Sequence, residues 1–308
     1  MSAALRLAVF TKNRSNPAYE AARIGAERAA ARLGATLRHY VPETPDDADQ
    51  QIALVHAALA ERPDALVFTA VHQTRLEPAL DAVRAAGIPV FSFVGRLAPG
   101  RAVSHVGADD AALAADVARR LFAQLGGAGQ VAILEGPPGA VTNTDRLRGI
   151  AAALAEFPGI AVAGRATGLN LRGPGRAAMA ALLPRLPRLD AVLAVNDAMA
   201  LGALEALDEA GRRATIAGIN AIPEAIRAIQ AGRMLVTADF NAMALCHLAT
   251  ECAIRHGRGE AVPEEIELPV ALVDAANCAA WDLPYEDRPL PTLAEALSSA
   301  ASSTPRPA

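Results

Sequence analysis

Short apolar, β-branched runs alternate with Ala/Leu-rich amphipathic stretches from Leu5 to about residue 240. Such alternation predicts parallel sheets with helices on both faces. The first series reads as strands over Leu5–Thr11, Ala35–Val41, Ala65–Thr69 and Val90–Phe93, with helices over Ala18–Leu33, Asp49–Ala60 and Leu76–Ala86 between them. Gly34 and Gly87 stand where helices stop, Gly34 as a left-handed C-cap. After Ser104–Gly107 and a helix over Asp110–Leu125, the same order begins again. Strands are predicted at Gln130–Glu135, Ile160–Ala166, Ala191–Val195, Thr215–Ile219 and Leu235–Ala238, and helices at Asn143–Glu156, Gly175–Leu183, Ala198–Ala210 and Pro223–Ala231.

Two series of similar order and length imply two lobes of one α/β fold, each a doubly wound parallel sheet. A helix over Ala242–His256 and a strand over Ile266–Val273 follow, and the shorter first lobe has room for them. The expected division is residues 1–107 with 239–272 in the first lobe and 108–238 with 273–283 in the second, so that the chain crosses more than once. Residues 284–308 are rich in Pro, Ser and Thr and read as a tail, packed on the surface or disordered, apart from a short helix at Leu293–Leu297.

At 308 residues and 52% hydrophobic content the chain can bury a large core, but only 4% is aromatic, so that core must rest on Leu, Val, Ile and Ala. The net charge is −4, with no cluster of Arg and Lys of the kind that tracks phosphates, which argues against a nucleic-acid partner. Lys12 is the sole lysine. Cys246, Cys252 and Cys278 are odd in number and lack a CxxC pair, giving neither a disulfide framework nor a zinc site. No apolar run reaches the 18 residues of a membrane span, and Met1–Arg6 does not read as an export leader.

In open parallel sheets ligands bind beyond the carboxyl ends of the strands. That rule selects the Lys12–Tyr19 loop, Gly136–Arg146, Asn196–Asp197, Asn220 and Asp239–Phe240. Their amides, arginine and rings can donate to and accept from a small polyhydroxylated molecule. Asn16 before Pro17, and Asn196 or Asp197 before the helix starting at Ala198, could equally be helix caps, a role compatible with touching a ligand. Gly126–Gly129 does not follow a strand, as a dinucleotide fingerprint must, and reads as a turn. No nucleophile elbow, phosphate loop or paired-histidine metal helix is present, and His247 and His256 lie nine apart on one helix. No catalytic residue, metal site or cofactor is therefore assigned; Asp197 and Asp239 are read as hydrogen-bond acceptors.

Three segments, Asn16-Pro-Ala-Tyr19, the Arg146-Leu-Arg-Gly149 turn and Val192–Leu204 with its Asn196-Asp197 pair, resemble the type 1 periplasmic binding proteins of the ribose/galactose sugar-binding branch. The likeness runs from Leu5 to about Val273. It implies two lobes joined by three hinge strands that close around a ligand, with sugar contacts from Asn16, Tyr19, Arg146 and Asn196. Asn13, Asn170 and Asn220 join the candidate ligand contacts, with Phe93 and Phe240 as stacking faces. The resemblance further implies a monomer in the periplasm, with the permease subunits of an ABC importer as its only membrane contact.

This chain departs from that pattern where Val94-Gly95 and Asn220 stand in place of charged residues of ribose-type members. With Arg146 kept, and Lys12 and Arg14 nearby, the site is expected to be less negative than usual. The ligand class is then a neutral sugar or polyol, or an acidic sugar derivative. Two rivals use the same fold: a cytoplasmic ligand-sensing effector domain without its DNA-binding part, and a protein presenting its ligand to a receptor. An enzyme stands as a third, since fold does not fix function.

Overall fold

The computed structural model describes residues 4–302. The chain divides into two compact units, the first comprising residues up to Ala108, Asn241–Pro269 and the stretch from Pro284, the second Asp109–Phe240 and Val270–Leu283.

The first unit is built on β1 (Arg6–Phe10), β2 (Thr36–Tyr40), β3 (Ala65–Phe68), β4 (Val90–Phe93), β5 (Ser104–Gly107) and β11 (Glu265–Glu267). All pairs are parallel, in the order β11-β5-β4-β3-β1-β2. Central strands such as β3 are buried along their whole length because helices cover both faces. Those helices are α1 (Pro17–Leu33), α2 (Ala48–Ala60), α3 (Glu77–Ala85) and α9 (Ala242–Gly257). One core layer gathers Phe10, Tyr40, Leu66, Phe68, Val55 and Leu80, with Phe10 stacked on Tyr40 at 4.9 Å.

The alanine content has a structural use. The inner face of α1 is Ala18, Ala21, Ala22, Gly25, Ala26, Ala29 and Ala30, all buried. A Cβ at Gly25 would overlap the carbonyl oxygen of Met243, so α1 and α9 pack backbone to backbone. His247 of α9 sits in this seam against the Gly25 carbonyl at 3.1 Å, and the edge of His256 meets Phe91. Both are structural residues.

The second unit has strands β6 (Ala128–Glu135), β7 (Gly159–Thr167), β8 (Ala191–Ala194), β9 (Thr215–Ala217), β10 (Val236–Asp239) and β12 (Ala271–Asp274), in the order β12-β10-β9-β8-β6-β7. Only the β10–β12 pair is antiparallel. Its helices are α4 (Asp110–Gln124), α5 (Val141–Glu156), α6 (Arg172–Leu182), α7 (Asp197–Glu209) and α8 (Pro223–Gln230).

Two sequence expectations need correction. The strand predicted over Ile266–Val273 is two strands, β11 and β12, one in each unit; Pro269 between them has no N–H to give a ladder. Asp239, Phe240 and Val270–Leu272 accordingly belong to the second unit, where β12 pairs with β10, and the chain passes between units four times rather than three. The stretch from Pro284 is ordered on the first unit through α10 (Leu293–Ser302), with Leu293 and Ala296 buried and Arg28 donating to the Arg288 carbonyl at 2.9 Å. Of the two expected alternatives the tail takes the surface-packed one, and the expected short helix at Leu293–Leu297 runs on to Ser302. The tail's last residues, 303–308, lie outside the described residues. Arg146–Gly149 lies inside α5, within the helix predicted over Asn143–Glu156; a Cβ at Gly149 would overlap the Ala111 carbonyl, so this glycine lets α5 lie against α4.

Among the described residues no helix is long and apolar enough to cross a membrane.

Candidate functional site

In each unit the polar residues that the sequence singled out stand at the carboxyl ends of the parallel strands. The loop after β1 is organised by its own amides. Asn13 Oδ1 accepts from the Asn16 backbone N–H at 2.9 Å, and its Nδ2 donates to Asp46 at 2.8 Å. Asn16 Oδ1 accepts from Ala18 N at 3.0 Å and so caps α1, with Pro17 in the first turn. Tyr19 is buried in that first turn, and Phe93 at the end of β4 has no exposed surface. Arg23 donates to Thr11 Oγ1 and to the Asn13 carbonyl, both at 3.1 Å, fixing the loop from below. The loop after β3 is held by the buried Gln51, which donates to the Thr69 carbonyl and accepts from Val71 N. A lone glutamine on the inner face of α2 was the only sequence signal for that clamp.

The second unit holds the denser constellation. Arg146 on α5 is buried, and its Nε donates to Asp110 Oδ1 at 2.7 Å, while Nη1 donates to the Val195 carbonyl at 2.7 Å and to Asn220 Oδ1 at 3.2 Å. The two N–H groups on Nη2 have no protein acceptor among the described residues. Phe240 lies with its ring centroid 5.3 Å from the Arg146 guanidinium carbon, a cation–π distance. Arg146, Asn220 and Phe240 are thus brought into direct contact by α5, β9 and β10.

A second cluster stands beside it. Asn196 caps α7 through Met199 N at 2.9 Å, and its Nδ2 donates to the Asn170 carbonyl at 2.9 Å, tying the loop after β7 to the end of β8. Asn143 accepts from Gly136 N at 2.8 Å, and a Cβ at Gly136 would run into both Asn143 and Asn170. Oδ1 and Nδ2 of Asn196 each have one partner within the protein, so the cap is made while each atom keeps a second hydrogen-bonding position.

Asp110 was not singled out in the sequence, where it is merely the start of a helix, yet it supplies the carboxylate that faces Arg146. The Arg146 guanidinium thus has a buried carboxylate partner, in a site that the sequence predicts to be less negative than usual. The second carboxylate, Asp197, is fully buried. Its Oδ1 accepts from Thr237 Oγ1 at 2.7 Å and its Oδ2 from Ile222 N at 3.1 Å, while Ala221 N donates to the same Thr237 hydroxyl at 3.2 Å. Burial pushes the Asp197 carboxyl up to about 7, against the opposing pull of these hydrogen bonds and of Arg146.

This chain of bonds pins a strained turn, for Asn220 and Ala221 both have positive φ, at 129° and 50°. Val94, Leu169, Asn170 and Asn241 share the left-handed region and also follow strand ends. For a β-branched residue such as Val94 that conformation costs on the order of 1–3 kcal/mol, and strain of this kind gathers at ligand-facing loops. Among the described residues no group of acidic, His and Cys side chains could hold a metal.

The geometry can be set beside known proteins. A periplasmic binding protein domain model matches residues 7–261. The chain is 31% identical over 194 residues to a xylitol-binding protein of Mycolicibacterium smegmatis, a stretch covering 62% of this chain and 56% of that relative. It is 27% identical over 266 residues to the ribose import binding protein of Bacillus subtilis, covering 86% of this chain and 85% of the relative. A crystal structure of an ABC transporter solute binding protein from Mycobacterium smegmatis with bound glycerol superposes with a TM-score of 0.84 at 31% identity, over 90% of this chain and 96% of that one. Another, from Actinobacillus succinogenes with bound D-allose, gives 0.83 at 27% identity over 89% and 99%. The fold, the strand-end site and these matches agree: the chain belongs to the type 1 periplasmic binding proteins, in their ribose/galactose-type branch.

Proposed function

We propose that the chain is the substrate-binding protein of an ABC-type importer and that its solute is a neutral sugar or polyol. The observation that carries the ligand class is the buried Arg146–Asp110 pair. With the guanidinium already matched by a carboxylate, what the site offers is a pair of oriented N–H donors on Nη2, amide groups and the Phe240 ring. Hydroxyl groups both donate and accept, and so suit that inventory. An anionic ligand would have to compete with Asp110 for Arg146. The named solutes of the relatives, xylitol, ribose, allose and glycerol, are neutral polyhydroxylated molecules, which supports the same reading.

The work of such a protein is conformational. A solute favours whichever conformer binds it more tightly, by its difference in affinity for the two forms. A micromolar dissociation constant corresponds to about −8 kcal/mol, within reach of a few charge-assisted and amide hydrogen bonds with a ring contact. The permease subunits of the importer are the partner in this reading, the periplasm is the place, and no covalent chemistry is assigned to any residue.

Thermal-shift measurements with pentoses, hexoses, polyols, sugar acids and sugar phosphates test it. A solute at a hundred times its Kd adds about 2.7 kcal/mol of stability, a rise of a few degrees in Tm. A shift with a neutral member is expected; shifts confined to the acids and phosphates, or none at all, would overturn the proposal.

A further inference from the structure

We propose that Trp281, on the segment after β12, is a positioning residue for the ligand site of the second unit, holding the Asp239 carboxylate and with it the Phe240 face. The inference rests on the function proposed above. Trp281 is the only tryptophan in the chain. It ends a 3-10 turn, Cys278–Trp281, and its indole Nε1 donates to Asp239 Oδ2 at 2.8 Å. An indole N–H can only donate, so Asp239 Oδ2 is the acceptor, and the bond ties the orientation of the carboxyl group to that of the ring.

Asp239 is the last residue of β10 and directly precedes Phe240, whose ring lies against Arg146. Asn241, with a φ of 55°, follows at once where the chain leaves the second unit. The end of β10 is thus a short segment with a ligand-site ring on one side and a strained crossing residue on the other. Trp281 grips its Asp239 by a side chain from a separate part of the sequence.

The grip is itself anchored. The Asn277 side chain accepts from Asp274 N at 3.0 Å and donates to the Leu272 carbonyl at 2.8 Å, and Asp274 accepts from Ala276 N at 2.9 Å. Gln230 of α8 donates to Asp282 at 3.1 Å, and Cys278 is buried. β12 lies antiparallel on β10 with Ala271 opposite Asp239. These contacts place the indole by a turn with little freedom, which is what a residue that orients another requires.

The test uses the full chain and the neutral solute that gives the largest thermal shift. Trp281→Phe keeps a ring and removes the donor. It is expected to raise Kd about tenfold, as loss of a hydrogen bond to a charged group does, with Tm of the unliganded protein moved by no more than a few degrees. Because there is one tryptophan, the ¹⁵N spectrum has one indole resonance, which is expected to shift in Asp239→Asn and again on saturation with solute. Should Trp281→Phe fail to fold, Asp239→Asn, which keeps the indole and weakens the acceptor, carries the affinity measurement in its place.

An unchanged Kd in the variant that folds, or an indole resonance indifferent to solute, overturns the proposal. If the wild-type protein takes no neutral sugar or polyol, the function proposed above falls, and this assignment with it. The two failures are told apart by whether the wild type binds.

Discussion

Replacing Asp197 by Asn should make the protein more stable at pH 8 and leave it little changed near pH 4. Asp197 has no exposed surface, and burial raises its carboxyl from the ordinary value near 4 to about 7. Between those values the folded state holds a proton that the unfolded chain has released, so the stability from this group is full below pH 4 and declines as pH rises, until it is gone above about 7. The full span corresponds to about 4 kcal/mol, and between pH 4.5 and pH 8 to about 3 kcal/mol.

Asparagine can reproduce the protonated acid. Its Oδ1 can accept from Ile222 N and its Nδ2 can donate to Thr237 Oγ1, the two partners Asp197 has now. Urea unfolding of both proteins across this pH range, taken as the difference between their curves, cancels the other titrating groups. A difference that grows by about 3 kcal/mol in favour of Asp197→Asn from pH 4.5 to pH 8 is expected. A difference constant to within about 0.5 kcal/mol would refute the reasoning, because Asp197 would then be ionised in the folded protein at all these pH values.

Other expectations follow from the packing and the site. Gly149→Ala, whose Cβ would overlap the Ala111 carbonyl, should cost more than the 1–3 kcal/mol typical of overpacking, since backbone cannot swing aside as a side chain can, and denaturant midpoints would show it. Asn196→Ala removes the cap on Met199 N and the tether to Asn170, and should cost about 1–2 kcal/mol in the same assay; a loss below about 0.3 kcal/mol would mean that water replaces both bonds. Asp110→Asn should lower stability by about 3 kcal/mol, because it leaves the buried Arg146 without its counter-charge, and should improve the relative binding of sugar acids over neutral sugars in a thermal-shift panel. An unchanged preference would argue against Asp110 setting the ligand class.

Much of the architecture was legible because it is written in local pattern. The two rounds of strand and helix, the stops at Gly34 and Gly87 and the cap at Asn16 depend on residues within a few positions of one another. What escaped depends on distance along the chain. Pro269 was in plain view, but only the sheets show that β11 and β12 on either side of it belong to different units. The helix at Leu293–Leu297 was expected, but not its seat: Leu293 and Ala296 pack on the first unit.

At the site, strand-end position selected Arg146, Asn220 and Phe240, and the fold places Asn220 and Phe240 against Arg146. Asp110, 36 residues before Arg146, was invisible as its partner. Nor could Trp281, 42 residues after Asp239 in a segment without periodicity, be connected to it. Charge compensation is a property of the folded site, so the sequence left a neutral and an acidic ligand both open.

The most direct measurement is isothermal titration calorimetry of the wild-type protein and of Arg146→Ala with the neutral sugar or polyol that stabilises the protein most. Wild-type binding at micromolar Kd, weakened by about 10- to 100-fold or lost in a folded Arg146→Ala, is the expected result. Equal affinity in the two proteins, or a wild type that binds only sugar acids, would contradict a neutral solute anchored on Arg146.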